Sequence, residues 1–248
     1  MPTRPLLLAA RELWEQLAHA PGSFPPPGDV TVIVSPDSDL CPPGWIGVVA
    51  LGGSALVSAP DEEAAAAVRT ALGGLPVEAL LDAASVRGVL PVTGVLGPAA
   101  LSYASPEGFR PVTGPATVER LPGGHPDLRA LEGASGEDDS AEASLDEITS
   151  PAFVVRERGR VVAAAGYQAW PRRTAHLSVL TAPEARGRGL ARATASAAVA
   201  DALAAGLLPQ WRARPAASRR VAAALGFEQL GTQLSYEIAQ GGRAAIPA

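Results

Sequence analysis

The chain has 248 residues, of which 47% are hydrophobic and 18% charged, enough apolar material for one large or two modest domains and too little charge for wholesale disorder. A formal net charge of -5 supplies no basic field to draw the protein onto phosphate backbones, so nucleic acid is excluded as an expected partner. The single cysteine, Cys41, excludes an internal disulfide and a multi-cysteine metal site, and it fits a reducing, cytoplasmic setting; no metal is expected.

In chain order, Leu6 to Ala18 reads as an amphipathic helix, because Arg11, Glu12 and Glu15 interrupt the apolar run that would otherwise suggest a leader. No later stretch approaches the roughly 18 uninterrupted apolar residues of a membrane span, so no membrane association is expected. Strand-like runs follow at Val30 to Val34, Trp45 to Leu51 and Ala55 to Val57, then a helix from Asp61 to Leu72 whose acidic start suits a helix N-terminus. A short helix at Val77 to Ala84 precedes two further strands, Leu90 to Val95 and Ala99 to Tyr103. This first part is an α/β pattern without a recognisable chemical motif.

Ser105-Pro106-Glu107-Gly108 marks a boundary, dividing an N-terminal domain, 1–108, from a second domain, 109–240, and a tail, 241–248. The second domain opens with a strand at Pro115 to Leu121, a helix at Pro126 to Leu131, and an acidic segment, Glu137 to Glu142, read as a solvated helix start. Ala152 to Arg156 and Arg160 to Gln168 form a hairpin about Glu157-Arg158-Gly159, and Thr174 to Thr181 is a third strand. A glycine-rich turn leads into a long alanine-rich helix, Leu190 to Ala205, then a strand at Leu208 to Ala213 and a helix capped by Ser218. Two short strands, Phe227 to Leu230 and Gln233 to Ile238, close the pattern.

The turn Arg186-Gly187-Arg188-Gly189-Leu190-Ala191 carries the chemistry. A strand entering such a turn and then a helix presents first-turn amides that have no acceptors inside the helix, and glycines let a phosphate approach the backbone. Taken alone such a turn is weak evidence, since many strand-to-helix turns use glycine only for a positive φ. The spacing also departs from Gly-x-Gly-x-x-Gly, and an antiparallel hairpin precedes it, which argues against a dinucleotide fold.

With its surroundings, however, the segment resembles a known family. Arg186-x-x-Gly189-x-Ala191 after the strand 175–181 is similar to the acyl-CoA signature of GNAT acyltransferases, and Leu225-Gly226-Phe227 after a short helix is similar to that family's Leu-Gly-Phe. The resemblance covers about residues 109 to 240. It implies a GNAT fold, a mixed and mostly antiparallel sheet flanked by helices, preceded by a smaller α/β domain read as a degenerate copy. It implies acetyl-CoA as cofactor, its pantetheine arm along Val179, Leu180 and Thr181 and its pyrophosphate on the amides from Gly187 to Arg192. Arg186, Arg188 and Arg192 would add charge, and Leu190 and Ser218 complete the expected cofactor set.

The implied activity is N-acetylation of a primary amine on a small molecule or peptide, by direct attack on the thioester. The chain has no lysine of its own to modify. For the base, His176 is the first candidate, with Glu147, Glu142 and Asp146 as alternatives. The family's tyrosine proton donor is replaced by Ala222, so Tyr236, Tyr167 or solvent would protonate the thiolate. That departure motivates the alternative reading, a non-catalytic acyl-CoA-binding regulatory module; a protein that keeps the fold without the cofactor is a third. A homodimer is the expected assembly if one forms. The first domain is assigned either a lid over the acceptor site or a purely stabilising role.

Overall fold

In this computed structural model, which describes residues 4–72, 74–114 and 116–239, the apolar runs at 30–34, 174–181 and 208–213 become strands with those same bounds. Pro115, the expected start of a strand, and the tail 241–248 lie outside the described residues. In chain order the elements are α1 (Arg4–Leu17), β1 (Val30–Val34), β2 (Ile46–Leu51), β3 (Ser54–Ala59), α2 (Glu62–Leu72), α3 (Ala83–Arg87) and β4 (Val92–Tyr103). They continue with β5 (Glu119–Leu121), α4 (Pro126–Ser135), α5 (Glu137–Ala143), β6 (Ala152–Glu157), β7 (Arg160–Trp170) and β8 (Thr174–Thr181). The last are α6 (Leu190–Ala204), β9 (Leu208–Ala213), α7 (Ala216–Ala224) and β10 (Glu228–Ile238). Short 3-10 turns stand at Val77–Leu81, Leu145–Glu147 and Pro183–Ala185.

The chain forms two compact units, one of residues 4–6 with 100–230 and the other of residues 7–99 with 231–239. The division falls at 99/100, inside β4, rather than at the 105–108 turn, and the last strand belongs mostly with the N-terminal residues. Turn composition marks where a chain bends; it carries no information about which core a returning strand completes. Glycine misled the reading in the same way at Gly97 and Gly231, where each expected strand pair is one continuous strand. Gly231 is in register with Leu51, and a Cβ there would sit 1.8 Å from the Ala50 carbonyl oxygen, so glycine serves close strand packing. The expected helix at 77–84 is a 3-10 turn followed by α3.

Within the unit of residues 7–99 and 231–239, the strand order is β1-β3-β2-β10. β1 runs parallel to β3, and β2 is antiparallel to both its neighbours. Ile46, Val48, Val57, Val68, Leu80, Leu234 and Tyr236 form its core.

Within the unit of residues 100–230 the order is β4-β9-β8-β7-β6-β5, antiparallel except for β8 and β9, so this is the expected mixed, mostly antiparallel sheet flanked by helices. Alternation along β8 assigns its two faces. Ala175 and Leu177 pack with Ala195, Ala198, Val199 and Ala202 of α6, whereas Leu180 packs with Leu128, Leu131 and Leu145 on the other side. The small side chains of α6 bring its axis close to the sheet, and its first turn therefore lies against the C-terminal end of β8.

Candidate functional site

β8 and β9 pair only from Thr174↔Leu208 to His176↔Gln210; beyond that point no strand among the described residues pairs with β8 on this side. A cleft of about 520 Å³ opens there. One wall is Val179, Leu180 and Thr181 of β8, and the opposite wall is Trp211 of β9 with α7. The head is the turn and the start of α6, and part of the rim is Asp139, Glu142 and Ala143 of α5.

The head is built to receive an anion. Gly189 is the N-cap residue of α6, left-handed at φ 79, and no side chain caps the helix. Ala193 is the first residue whose amide finds Gly189 O, at 3.1 Å, which leaves the amides of Leu190, Ala191 and Arg192 without intrahelical acceptors. Gly187, at φ 76, and Gly189 would each meet nothing within 4 Å if given a Cβ, so the space above them is open. The first turn of α6 holds no acidic residue. Unsatisfied donors, an aligned helix dipole and open space together favour a diphosphate or similar anion.

Of the residues expected to hold the cofactor, Val179 to Thr181, Arg186, Gly187, Gly189 to Arg192 and Ser218 all line this cleft. Arg188 does not; its guanidinium pairs with Glu157 in the β6–β7 hairpin, one bond being 3.0 Å. Arg186 bonds Asp139 and, through Nε, the Thr181 carbonyl at 3.3 Å. Arg192 and Arg220 have no acidic partner among the described residues. Ser218 is not the cap of α7, a place held by Pro215; it lies inside the helix, where its Oγ accepts the Trp211 indole N–H at 2.9 Å. That bond fixes the tryptophan as a cleft wall.

The acidic segment read as a solvated helix start is α5, and it turns two carboxylates to the rim. Asp139 holds Arg186, and Glu142 holds Arg214, whose Nε lies 2.7 Å from Oε2. Pairs this exposed contribute at most about 1 kcal/mol each.

The catalytic candidates are not brought together. His176 stands where β8 and β9 part, as the last residue of β8 paired with β9 and outside the cleft lining, with Nδ1 against Gln210 Oε1 and its ring stacked on Trp170 at 4.0 Å. Burial, and then the charge of Arg212, push its pKa down to about 4, against a smaller upward pull from Gln210. Glu147 lies exposed on the 3-10 turn, outside the cleft lining. Tyr236 belongs to the other unit, fully buried in that core, where its hydroxyl donates to the Leu80 carbonyl. Tyr167 donates to Asp201 at 2.9 Å, near the far end of α6, about 16 Å along the helix from Leu190. Burial and the Asp201 carboxylate push its pKa up to about 12. Ala222, where the family's tyrosine would stand, is buried.

Sequence reasoning missed one wall. Ala217, Arg220, Val221 and Ala224 line the cleft at the three- and four-residue spacing of one helical face. That spacing was present in the sequence, and it would have identified Arg220.

Residues 150–236 match the family model described as GNAT acetyltransferase. A search of curated proteins returns no match. Among solved structures, the chain is similar to a protein assigned to the GNAT family from Novosphingobium aromaticivorans, with 26% identity over 60% of this chain and 67% of that one, at a TM-score of 0.48. It is similar to a GCN5-related N-acetyltransferase from Kribbella flavida, with 20% identity over 61% of this chain and 62% of that one, TM-score 0.47. A GCN5-related N-acetyltransferase-like protein from Streptococcus suis has 17% identity over 94% of this chain and 98% of its own, TM-score 0.49. The chain thus spans about two thirds or slightly less of the first two.

Proposed function

Taking as premise that the C-terminal half of the chain is a GNAT acetyltransferase domain, we propose that the protein transfers an acetyl group from acetyl-CoA to a primary amine of a small molecule or peptide. The observation that carries this reading is the uncapped N-terminus of α6 at the head of a cleft made by the parting of β8 and β9. When bound, the cofactor supplies an activated thioester.

The residues present fit that group. The amides of Leu190 to Arg192 would hold its diphosphate, and Gly187 and Gly189 leave room for the oxygens. Arg192 and Arg220 add positive charge at the rim. Val179 to Thr181 present main chain along one wall, where an amide such as that of Leu180 polarises a carbonyl oxygen as an oxyanion donor. His176, where β8 and β9 part, would take a proton from the attacking nitrogen; that nitrogen becomes acidic as it bonds to carbon, so a weakly basic imidazole suffices. Trp211 and the α5 rim narrow the cleft against water.

A leaving thiolate would take its proton from solvent, since no tyrosine lines the cleft among the described residues. The same fact favours a second reading, a module that binds acyl-CoA without turnover. Release of free thiol from acetyl-CoA across a panel of small and peptide amines separates the two: amine-dependent thiol establishes the enzyme. Tight coenzyme A binding with no release across the panel establishes the module. Absence of binding removes both.

A further inference from the structure

We propose that Gln210 is a positioning residue for His176, its Oε1 accepting the Nδ1–H so that the lone pair of Nε2 is the one left to take a proton where β8 and β9 part. The base role rests on the function proposed above; the hydrogen-bond assignment does not.

Three strands hold the imidazole. On β9, Gln210 is fully buried, pairs in register with His176, and places Oε1 against Nδ1. On β7, Gln168 is in register with His176 from the other side, and its Oε1 accepts the Trp170 indole N–H at 2.7 Å. That bond holds Trp170 flat against the imidazole, with 12° between the ring planes. The ring is therefore fixed in edge and in face. A carboxamide oxygen only accepts, so the nitrogen it touches must carry hydrogen, and in the neutral ring the other nitrogen is then bare.

The choice of an amide matters. Arg212, two residues along β9 and on the same face, disfavours the imidazolium, while Glu142 of α5 and Glu147 of the adjoining 3-10 turn act on Arg212. β7 contributes only Gln168 and Trp170 at this point, both uncharged. A carboxylate in place of Gln210 would hold the ring protonated; an amide orients it and leaves it bare. Gln210 Nε2 is itself buried and without a partner, as is Thr174 Oγ1 two pairs away along β8.

The chain has three histidines, so imidazole nitrogen NMR of 15N-histidine-labelled full-length protein resolves them, with His176→Asn assigning the signal. Near pH 7, His176 is expected as the Nδ1–H tautomer with Nε2 bare. In Gln210→Glu its titration and the acid limb of kcat/KM both move up by about one pH unit or more. In Gln210→Ala the tautomer shifts towards Nε2–H. An Nε2–H tautomer in the unsubstituted protein, or a Gln210→Glu titration that does not move, overturns the assignment. The expected tautomer in a protein that turns over no amine keeps the positioning role and removes the base, which distinguishes failure of this inference from failure of the proposed activity.

Discussion

In the unit of residues 7–99 and 231–239, β3 runs through Pro60 into α2, and the Asp61 carboxylate accepts the Ala64 amide at 2.8 Å, with Glu62 and Glu63 in the first turn. In the unit of residues 100–230, β8 runs through a short 3-10 turn into α6, whose cap is Gly189, with no side-chain bond and no acid in the first turn. Both are strand-to-helix steps with the same backbone need, since each leaves donors over. One unit answers that need from within its own sequence, with a carboxylate that also repels any arriving anion. The other leaves it unanswered beside arginines. An incomplete helix start next to an incomplete strand pair is what distinguishes a site from a scaffold here.

The largest effect should come from giving α6 the ending that α2 has. Gly189→Asp adds a carboxylate to the anion site and strains a φ of 79, and it should weaken coenzyme A binding more than 100-fold, about 3 kcal/mol, by calorimetry. Unchanged affinity would break the comparison. Acidification separates the units next. His176 has a folded pKa of about 4 against 6.5 for the free side chain, so the unfolded chain binds the extra proton between those values. Stability is therefore full above about pH 6.5 and falls towards pH 4, by an amount on the order of 2–3 kcal/mol; His176→Asn should flatten that slope in denaturant titrations at both pH values.

The converse edit, Asp61→Ala, removes a cap and should cost about 1 kcal/mol of stability while leaving coenzyme A affinity alone. An affinity change there would mean that the two helix starts are not independent. Smallest of all, Arg188→Ala loses only an exposed pair with Glu157 and should change affinity less than about threefold at physiological salt.

What was legible in the sequence was local. The Arg186 to Ala191 turn and Leu225-Gly226-Phe227 are contiguous, and their backbone demands show in residue type. The parting of β8 from β9 was not legible, because it depends on register between segments more than thirty residues apart in sequence. The pairing of Asp139 with Arg186 and of Glu142 with Arg214 was hidden for the same reason; an acidic run looks alike whether solvent or arginine answers it. Tyr236 was a candidate proton donor to the thiolate, yet its strand is registered with β2, and its hydroxyl ends on Leu80.

The methyl groups of α6 act as a ruler. Ala195, Ala198 and Ala202 are all fully buried and set the helix-to-sheet distance at about the thickness of one methyl layer, and a close-packed interior does not absorb extra volume there without moving the axis. Any larger residue on that stripe would lift the whole rod, and its amino end with it, away from the strand it follows. Chemistry at the head of the cleft is thus tuned by side chains about one to three turns away that never meet a ligand.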